Sequence, residues 1–495
     1  MRNTKLKFKM MPIFLVLIFG CTNDLEKDPI GLLTEKQVDT DPSTVTIESS
    51  VVSAYEPLRN TLNGIIPSWR WDLGVVFRND IILQDVASGD VNKKYAADGD
   101  QAWIDELSTF NFTPENQAFN GIWVYDYEGI SRSNLAIGFL TDDGVVERAG
   151  LDEARQTQLL SEAYFLRAYY YFDLVNNFGD VPLVLKTPDS FEEAFSVSVR
   201  APATEVLDQV GLDLAAAKEL ATNEKFPDAN EPWRVSKGAI IALQAKVALF
   251  AGEWTTVLGL INELEGLGHY SLNMNYFDSF DATREFAEDE VIFAYDHTSD
   301  ENPRNGNGLA ATVGWGFWAP TEDFLNAFEE NDPRLLYTID VENRHPGKLL
   351  GSTTAYKGNS DSPGNKVFIR YADVLLWKAE ALNNNGDSEA AVAIVNQIRS
   401  RARATPTADG SLVPDGTLPN RPSGDQDQVR EWIGQERRVE LGWEGHRFLD
   451  LKRWETAQSV LTALGRNFKD FNVLYPIPQL DIDKSGGTIT QNPGY

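Results

Sequence analysis

Apolar positions along this chain fall into two textures. Over most of its length they return every three or four residues, the spacing that lines one face of a helix. The clearest case predicts a helix over about 151–178, where Leu159, Ala163, Leu166, Tyr170 and Leu174 share a face. Gly179 and Pro182 then supply the stop expected after a helix C-terminus. A second helix, rich in Ala and Leu, is predicted over about 203–221, opening near Thr204.

Two later stretches match without a gap. Ala245 to Trp254, ending at Leu260-Ile261-Asn262, aligns on Ala379 to Ser388, ending at Ile394-Val395-Asn396. In each, a helix closes at a glycine (Gly252, Gly386), an acidic residue follows, and a second apolar helix begins. That is the grammar of a tetratricopeptide unit, whose paired helices bury a shared core by stacking, although the leading Trp and Tyr of a standard repeat are missing.

Between the repeats, from about 267 to 366, Gly, Asn, Asp and Pro cluster, and short β-like runs such as Val291 to Tyr295 replace the helical period. Asp300 to Gly308 is a long loop by composition; residues 405–427 form a second polar loop, read as a connector. The expected fold is mainly α: a tetratricopeptide-like helical-repeat scaffold with few short strands and a loop-rich ligand-binding insertion, because function concentrates in loops on rigid scaffolds. The segments are a leader over 1–20, an acidic tether over 21–44, an N-terminal helical region over 45–266, the insertion over 267–366, and a C-terminal region over 367–495. Residues 45–495 are expected to form one domain.

The first twenty residues break this pattern. Arg2, Lys5, Lys7 and Lys9 precede an apolar run from Met10 to Phe19, too short to span a bilayer and suited to a secretory signal. The run ends at Ile18-Phe19-Gly20-Cys21, which resembles a bacterial lipobox and implies lipidation at Cys21. Cys21 is the only cysteine, so the mature chain has no disulfide, thiolate metal site or thiol nucleophile. Removing 1–20 takes away four positive charges and no negative one, moving the net charge from −30 to −34. Such a surface disfavours nucleic acid and anionic membrane, so attachment rests on lipid. The tether carries Asp24, Glu26 and Asp28, similar to the surface-export signal of Bacteroidetes lipoproteins.

Catalytic motifs are absent from the sequence: no His-Glu-x-x-His helix, no phosphate-binding glycine loop ending in Lys-Ser/Thr, no Gly-x-Ser-x-Gly elbow. With 74 acidic residues, almost any two could be offered as a glycosidase pair, which empties the inference. Glu436, Arg437, Arg438, Glu440, Arg447 and Asp450 interleave opposite charges in the manner of ion pairs that fix helix packing. His446 beside Glu444 lacks a second histidine at ligand spacing, so no metal and no cofactor are expected.

Six motifs in order carry a resemblance to the SusD/RagB family over nearly the whole mature chain. They are Trp123 to Asn134, Glu162 to Ala168 with Phe178 to Leu183, Ile369 to Leu376, Asn396 to Ala402, Glu436 to Trp454, and the closing Tyr475 to Pro478 with Gln491 to Tyr495. The resemblance implies a non-enzymatic lipoprotein of the outer membrane, facing the exterior. Such a protein captures oligo- or polysaccharide and delivers it to a SusC-like TonB-dependent transporter. Alternatives are a RagB-like peptide binder and, behind it, a secreted glycan-active hydrolase.

Sugars present C–H faces that lie on flat aromatic rings. Trp315, Phe317 and Trp318 stand among glycines in Val313 to Pro320, where the family carries part of its sugar platform by resemblance. Trp69 and Trp71, with Arg78, Asn79 and Asp80, lie in the N-terminal region that supplies the rest. Few cations flank these aromatics, which leans towards a neutral glucan. Trp123, Trp254, Trp377, Trp443 and Trp454 sit in helical motifs and are assigned to packing.

Overall fold

A computed structural model describes residues 42–95, 98–298, 305–352 and 362–495. The leader, Cys21, the tether up to residue 41 and positions 299–304 of the long loop lie outside the described residues.

The longer helices and principal strands, in chain order, are α1 (Thr44–Tyr55), α2 (Asp80–Ala87), β1 (Val91–Asn92), α3 (Gln117–Thr141), α4 (Glu153–Phe178), α5 (Ala203–Leu220), α6 (Lys237–Phe250), α7 (Trp254–Gly266), β2 (Val291–Tyr295), α8 (Leu309–Gly314), β3 (Ala319–Pro320), β4 (Lys366–Arg370), α9 (Tyr371–Asn384), α10 (Ser388–Ala404), α11 (Gln426–Glu440) and α12 (Arg447–Arg453). The predicted helix over 151–178 is α4. Asp152 caps it by accepting from the Arg155 amide, and Gly179 ends it. Its apolar face packs between α3 and α5, with Leu159, Ala163, Leu166, Tyr170 and Leu174 buried. The matched repeats are two antiparallel hairpins, α6–α7 and α9–α10, and α9 stacks on α7. The fold is mainly α and built on a tetratricopeptide-like scaffold, as the spacing predicts.

The insertion is loop-rich with a few short strands, as expected, and its apolar side chains join the scaffold's core. Its β-like run is β2, which pairs antiparallel with β4, and Val291 lies opposite Arg370. Val313, Phe317, Trp318 and Phe324 enter the same apolar core as α3 and α4. Short elements with apolar side chains bury themselves where a helical period is missing, so the insertion is part of the core. β3 pairs with β1, setting Val91 opposite Pro320 and Asn92 opposite Ala319. This short pairing brings the N-terminal loops against the insertion.

The interleaved charges of the C-terminal motif lock α11 and α12 to the rest. Glu440 receives Arg370 at 2.8 Å and Arg334 at 3.0 Å, and also Arg401. Glu436 receives Arg334 at 2.6 Å, and Arg437 reaches Asp373 at 2.6 Å and Asp450 at 2.8 Å. These charges are buried and multiply paired, the condition under which a buried ion can be tolerated. Arg447 is the member of the motif that does not fit this reading.

Candidate functional site

Three tryptophans from two distant stretches meet on one face. Trp69 precedes a one-turn helix that begins at Trp71. That turn ends at Gly74, with φ of +68°, where an added Cβ would stand 2.0 Å from the Gln117 carbonyl oxygen. Only glycine allows the loop to seat its backbone so closely on the start of α3. On the other side, α8 ends into Trp315 and Gly316, and the β1–β3 pairing draws that turn towards the N-terminal loops.

The rings pack in layers. Phe77 and Phe317 are buried and stand edge-on beneath Trp71, each 6.0 Å from its centroid. Trp71 and Trp315 are half-buried above them, 5.8 Å apart and inclined at 68°. Trp69 is outermost and 53 % exposed; it stacks on Trp71 at 6.2 Å and 24°, and leans on Trp315 at 6.1 Å and 63°. The result is a bent aromatic surface with two nearly parallel rings and a third turned across them. An exposed ion pair, Arg70 to Asp72 at 2.7 Å, lies beside it.

Tyr95, which the sequence reading does not single out, joins this surface. It is 55 % exposed, and its ring covers Gly316, where an added Cβ would come within 2.6 Å of it. The Lys94 amide donates to the Gly316 carbonyl at 2.8 Å, and the Lys94 ammonium donates to the Asn343 carbonyl at 2.7 Å. Both bonds steady Tyr95 next to Trp315. An aromatic between Gly89-Asp90 and Gly99-Asp100 is the same kind of signal that marks Trp315.

Five of the eight expected ligand residues are buried or largely covered, and this corrects the sequence reading. Trp318 is 0 % exposed; its indole N–H donates to the Thr312 hydroxyl at 2.7 Å and its ring lies 5.8 Å from Trp443. Phe317, at 2 % exposed, is the floor of the surface and presents no face to solvent. Arg78 is fully buried among Asp80 (2.9 Å), Asp126 (2.8 Å) and Asp173 (2.6 Å). Asn79 is buried and donates to the Ala118 carbonyl at 3.0 Å. Asp80 is largely covered: burial pushes its carboxyl up, but Lys366 and Arg78 more than offset this and hold it below the usual range. Arg78, Asn79 and Asp80 therefore tie the N-terminal loop to α3, α4 and β4, and none borders the tryptophans. The physical reason is that an arginine in a polar stretch can be drawn inward by acids more than forty residues away.

The tryptophan surface offers flat apolar area with a polar edge, and among the described residues no group of three or more His, Cys, Asp or Glu side chains is placed to hold a metal ion.

Residues 65–249 match a family described as starch-binding and associating with the outer membrane, and residues 341–495 match the SusD family. Two SusD-like proteins of Formosa agariphila are similar in sequence. One is 26 % identical over 99 % of this chain and 100 % of its own; the other is 28 % identical over 75 % and 79 %. Among solved structures, a laminarin-binding SusD-like protein superposes with a TM-score of 0.73 at 24 % identity, covering 92 % of this chain and 100 % of its own. Surface glycan-binding protein A from Bacteroides thetaiotaomicron, in complex with laminarihexaose, gives 0.71 at 21 % identity over 91 % and 99 %. With SusD-type matches in both halves, and a SusD-like protein aligned over almost its whole length, the comparisons support the SusD/RagB family for this chain.

Proposed function

We propose that this protein is a non-enzymatic glycan-binding lipoprotein of the outer membrane, which holds oligosaccharide on Trp69, Trp71 and Trp315 and passes it to a TonB-dependent transporter. The observation that carries the reading is the convergence of three tryptophans, from two stretches more than 240 residues apart, on one partly exposed face. Large aromatic area at a protein surface is unfavourably hydrated unless something covers it, and stacked pyranose rings are a natural cover. The glycan-binding names of the two structural neighbours, one laminarin-binding and one holding laminarihexaose, support the same class.

The bent arrangement of the rings favours a curved chain over a flat ribbon. Together with the few cations at the edge, this makes a neutral, curling glucan such as a β-1,3-linked oligosaccharide the first ligand to try. Calorimetric titration of the mature protein with laminarin oligosaccharides tests the reading. Trp315→Ala and Trp69→Ala should each weaken binding about tenfold to hundredfold, the equivalent of about 1–3 kcal/mol for a contact anchor. Reducing ends should not rise during prolonged incubation. Unchanged affinity in both variants, or release of reducing ends, would overturn the proposal.

A further inference from the structure

Six buried arginines of this protein are held by close ion pairs. Arg78, Arg167, Arg234, Arg334, Arg370 and Arg437 each have a carboxylate oxygen no more than 2.7 Å away. Arg447, the first residue of α12, differs. Its side chain is mostly covered, and burial pushes its guanidinium below the ordinary arginine range. Among the described residues, no carboxylate or carbonyl lies within hydrogen-bonding distance of it. The acids nearest in its field are already taken: Asp90 and Asp323 by Arg438, and Asp450 by Arg437. The Arg447 nitrogens are not among the sealed, unpartnered ones, so the guanidinium head reaches solvent with its donors free for an anionic group that enters there.

Arg447 opens into a groove of about 580 Å³ between α11, α12 and the tip of the α6–α7 hairpin. That volume falls in the range of small-molecule sites, about 300–1,000 Å³. Trp254 and Trp454 line the groove, both half-buried, and these are two of the tryptophans that helical position alone assigns to packing. Trp454 is fixed in place, its indole N–H donating to Glu380 at 2.8 Å. It faces Gly434, where an added Cβ would stand 3.5 Å from the ring and narrow the groove. Asn384 and Glu431 supply polar rim groups. Arg453, the other arginine deep in the groove, is neutralised by Glu380 at 2.8 Å.

Each part selects a ligand feature. A planar guanidinium with its donors unspent matches a carboxylate in two-pronged fashion. Two indoles offer flat apolar area for the C–H face of a pyranose, Trp254 and the face of Trp454 not taken by the Arg453 guanidinium 4.7 Å from its ring, and the rim amide and carboxylate can bond hydroxyls. We propose that this groove is a second saccharide site, selective for a uronate unit whose carboxylate is taken by Arg447 while its ring lies against Trp254 or Trp454. It shares no residue with the Trp69–Trp71–Trp315 surface, so the two sites stand or fall separately.

The test is titration of the mature full-length protein with trigalacturonate, with a neutral laminarin trisaccharide and a triglutamate peptide as comparators. Trigalacturonate should bind, and more weakly as salt rises. Arg447→Gln should reduce that affinity about tenfold to hundredfold, the usual weight of hydrogen bonds to a charged group. Arg447→Lys, which keeps the charge but loses the fork, should fall between wild type and Arg447→Gln. Trp315→Ala should leave trigalacturonate binding unchanged. If Arg447→Gln does not fold, Trp254→Ala at the groove wall carries the same expectation of weakened binding. Absence of trigalacturonate binding, equal affinity in the variants, or capture of triglutamate in its place would overturn the assignment.

Discussion

Trp315 and Trp318 stand three residues apart in the same glycine-spaced segment, yet one is half-buried at the surface and the other is sealed inside. Local sequence treats them alike. What separates them is Thr312, whose hydroxyl satisfies the Trp318 indole, and Trp443, which packs on its ring from far along the chain. Neither partner is visible in the spacing of the segment, so the aromatic surface was legible as a cluster and not residue by residue. Trp318→Ala should therefore cost about 3–5 kcal/mol of folding stability through the cavity it leaves, with a clear fall in melting temperature. Trp315→Ala should leave the melting temperature nearly unchanged. Thermal melts of the two variants side by side decide it, and a reversed order would return Trp315 to the core. Two histidines carry a pH signature at the same scale. Burial lowers His297 to about 3 and His446 to about 4, from an ordinary 6.5. Below about pH 6.5 the unfolded chain then binds protons that the native state refuses, so stability is full at neutral pH and falls as the pH drops towards 4. Denaturant midpoints measured at pH 7, 5.5 and 4.5 should fall in that order, with a shallower slope in His446→Gln. A pH slope in His446→Gln no shallower than in the wild type would contradict the buried, neutral imidazole.

At the level of elements, the helical period told the truth where it was long. α4 and α5 begin and end within two residues of their predicted bounds, and the two matched stretches are stacked hairpins. The insertion was harder to read because its elements are two to six residues long, below the length at which a period can declare itself. Their placement depends on pairing with distant partners, β2 with β4 and β3 with β1. The surface of tryptophans is a product of those junctions as much as of the rings. Trp69 and Trp71 are aimed by the seating of their loop on α3, which Gly74 permits. Gly74→Ala would place a methyl group 2.0 Å from the Gln117 oxygen and would also strain a φ of +68°. The loop must lift, and with it both rings. The expected outcome is a loss of glucan affinity comparable to that of Trp71→Ala, although no aromatic has been touched. Tryptophan emission should shift to the red as Trp69 and Trp71 gain water. Full affinity in Gly74→Ala would mean that the loop is held by something other than this contact.

Across the whole molecule, the question is what keeps so acidic a body at a membrane. None of the described helices is long and apolar enough to cross one. The net charge of −30 deepens to −34 once residues 1–20 are removed, so attraction to anionic lipid headgroups is not available to the body of the protein. The buried ion pairs that lock α11 to β4 and α10 are turned inward and add nothing to such an attraction. The proposed lipoprotein reading needs a hydrophobic attachment, and Cys21, the single cysteine, is the position that resembles a lipidation site. More than one acyl chain gives stable anchorage, whereas a single chain gives reversible binding. Two consequences separate this from electrostatic or protein-mediated attachment. First, washing isolated outer membranes with 1 M salt, at which the Debye length shrinks to about 3 Å, should leave the wild-type protein in place. Second, Cys21→Ala should leave the leader uncleaved or shift the protein into the soluble fraction, with the glucan affinity of the purified body intact. A Cys21→Ala protein that is still processed, still salt-resistant and still in the outer-membrane fraction would show that something other than lipid holds it there. A TonB-dependent barrel recovered with the wild-type protein in detergent, through an interface above about 1,000 Å² as stable complexes require, would then be the first candidate for that hold.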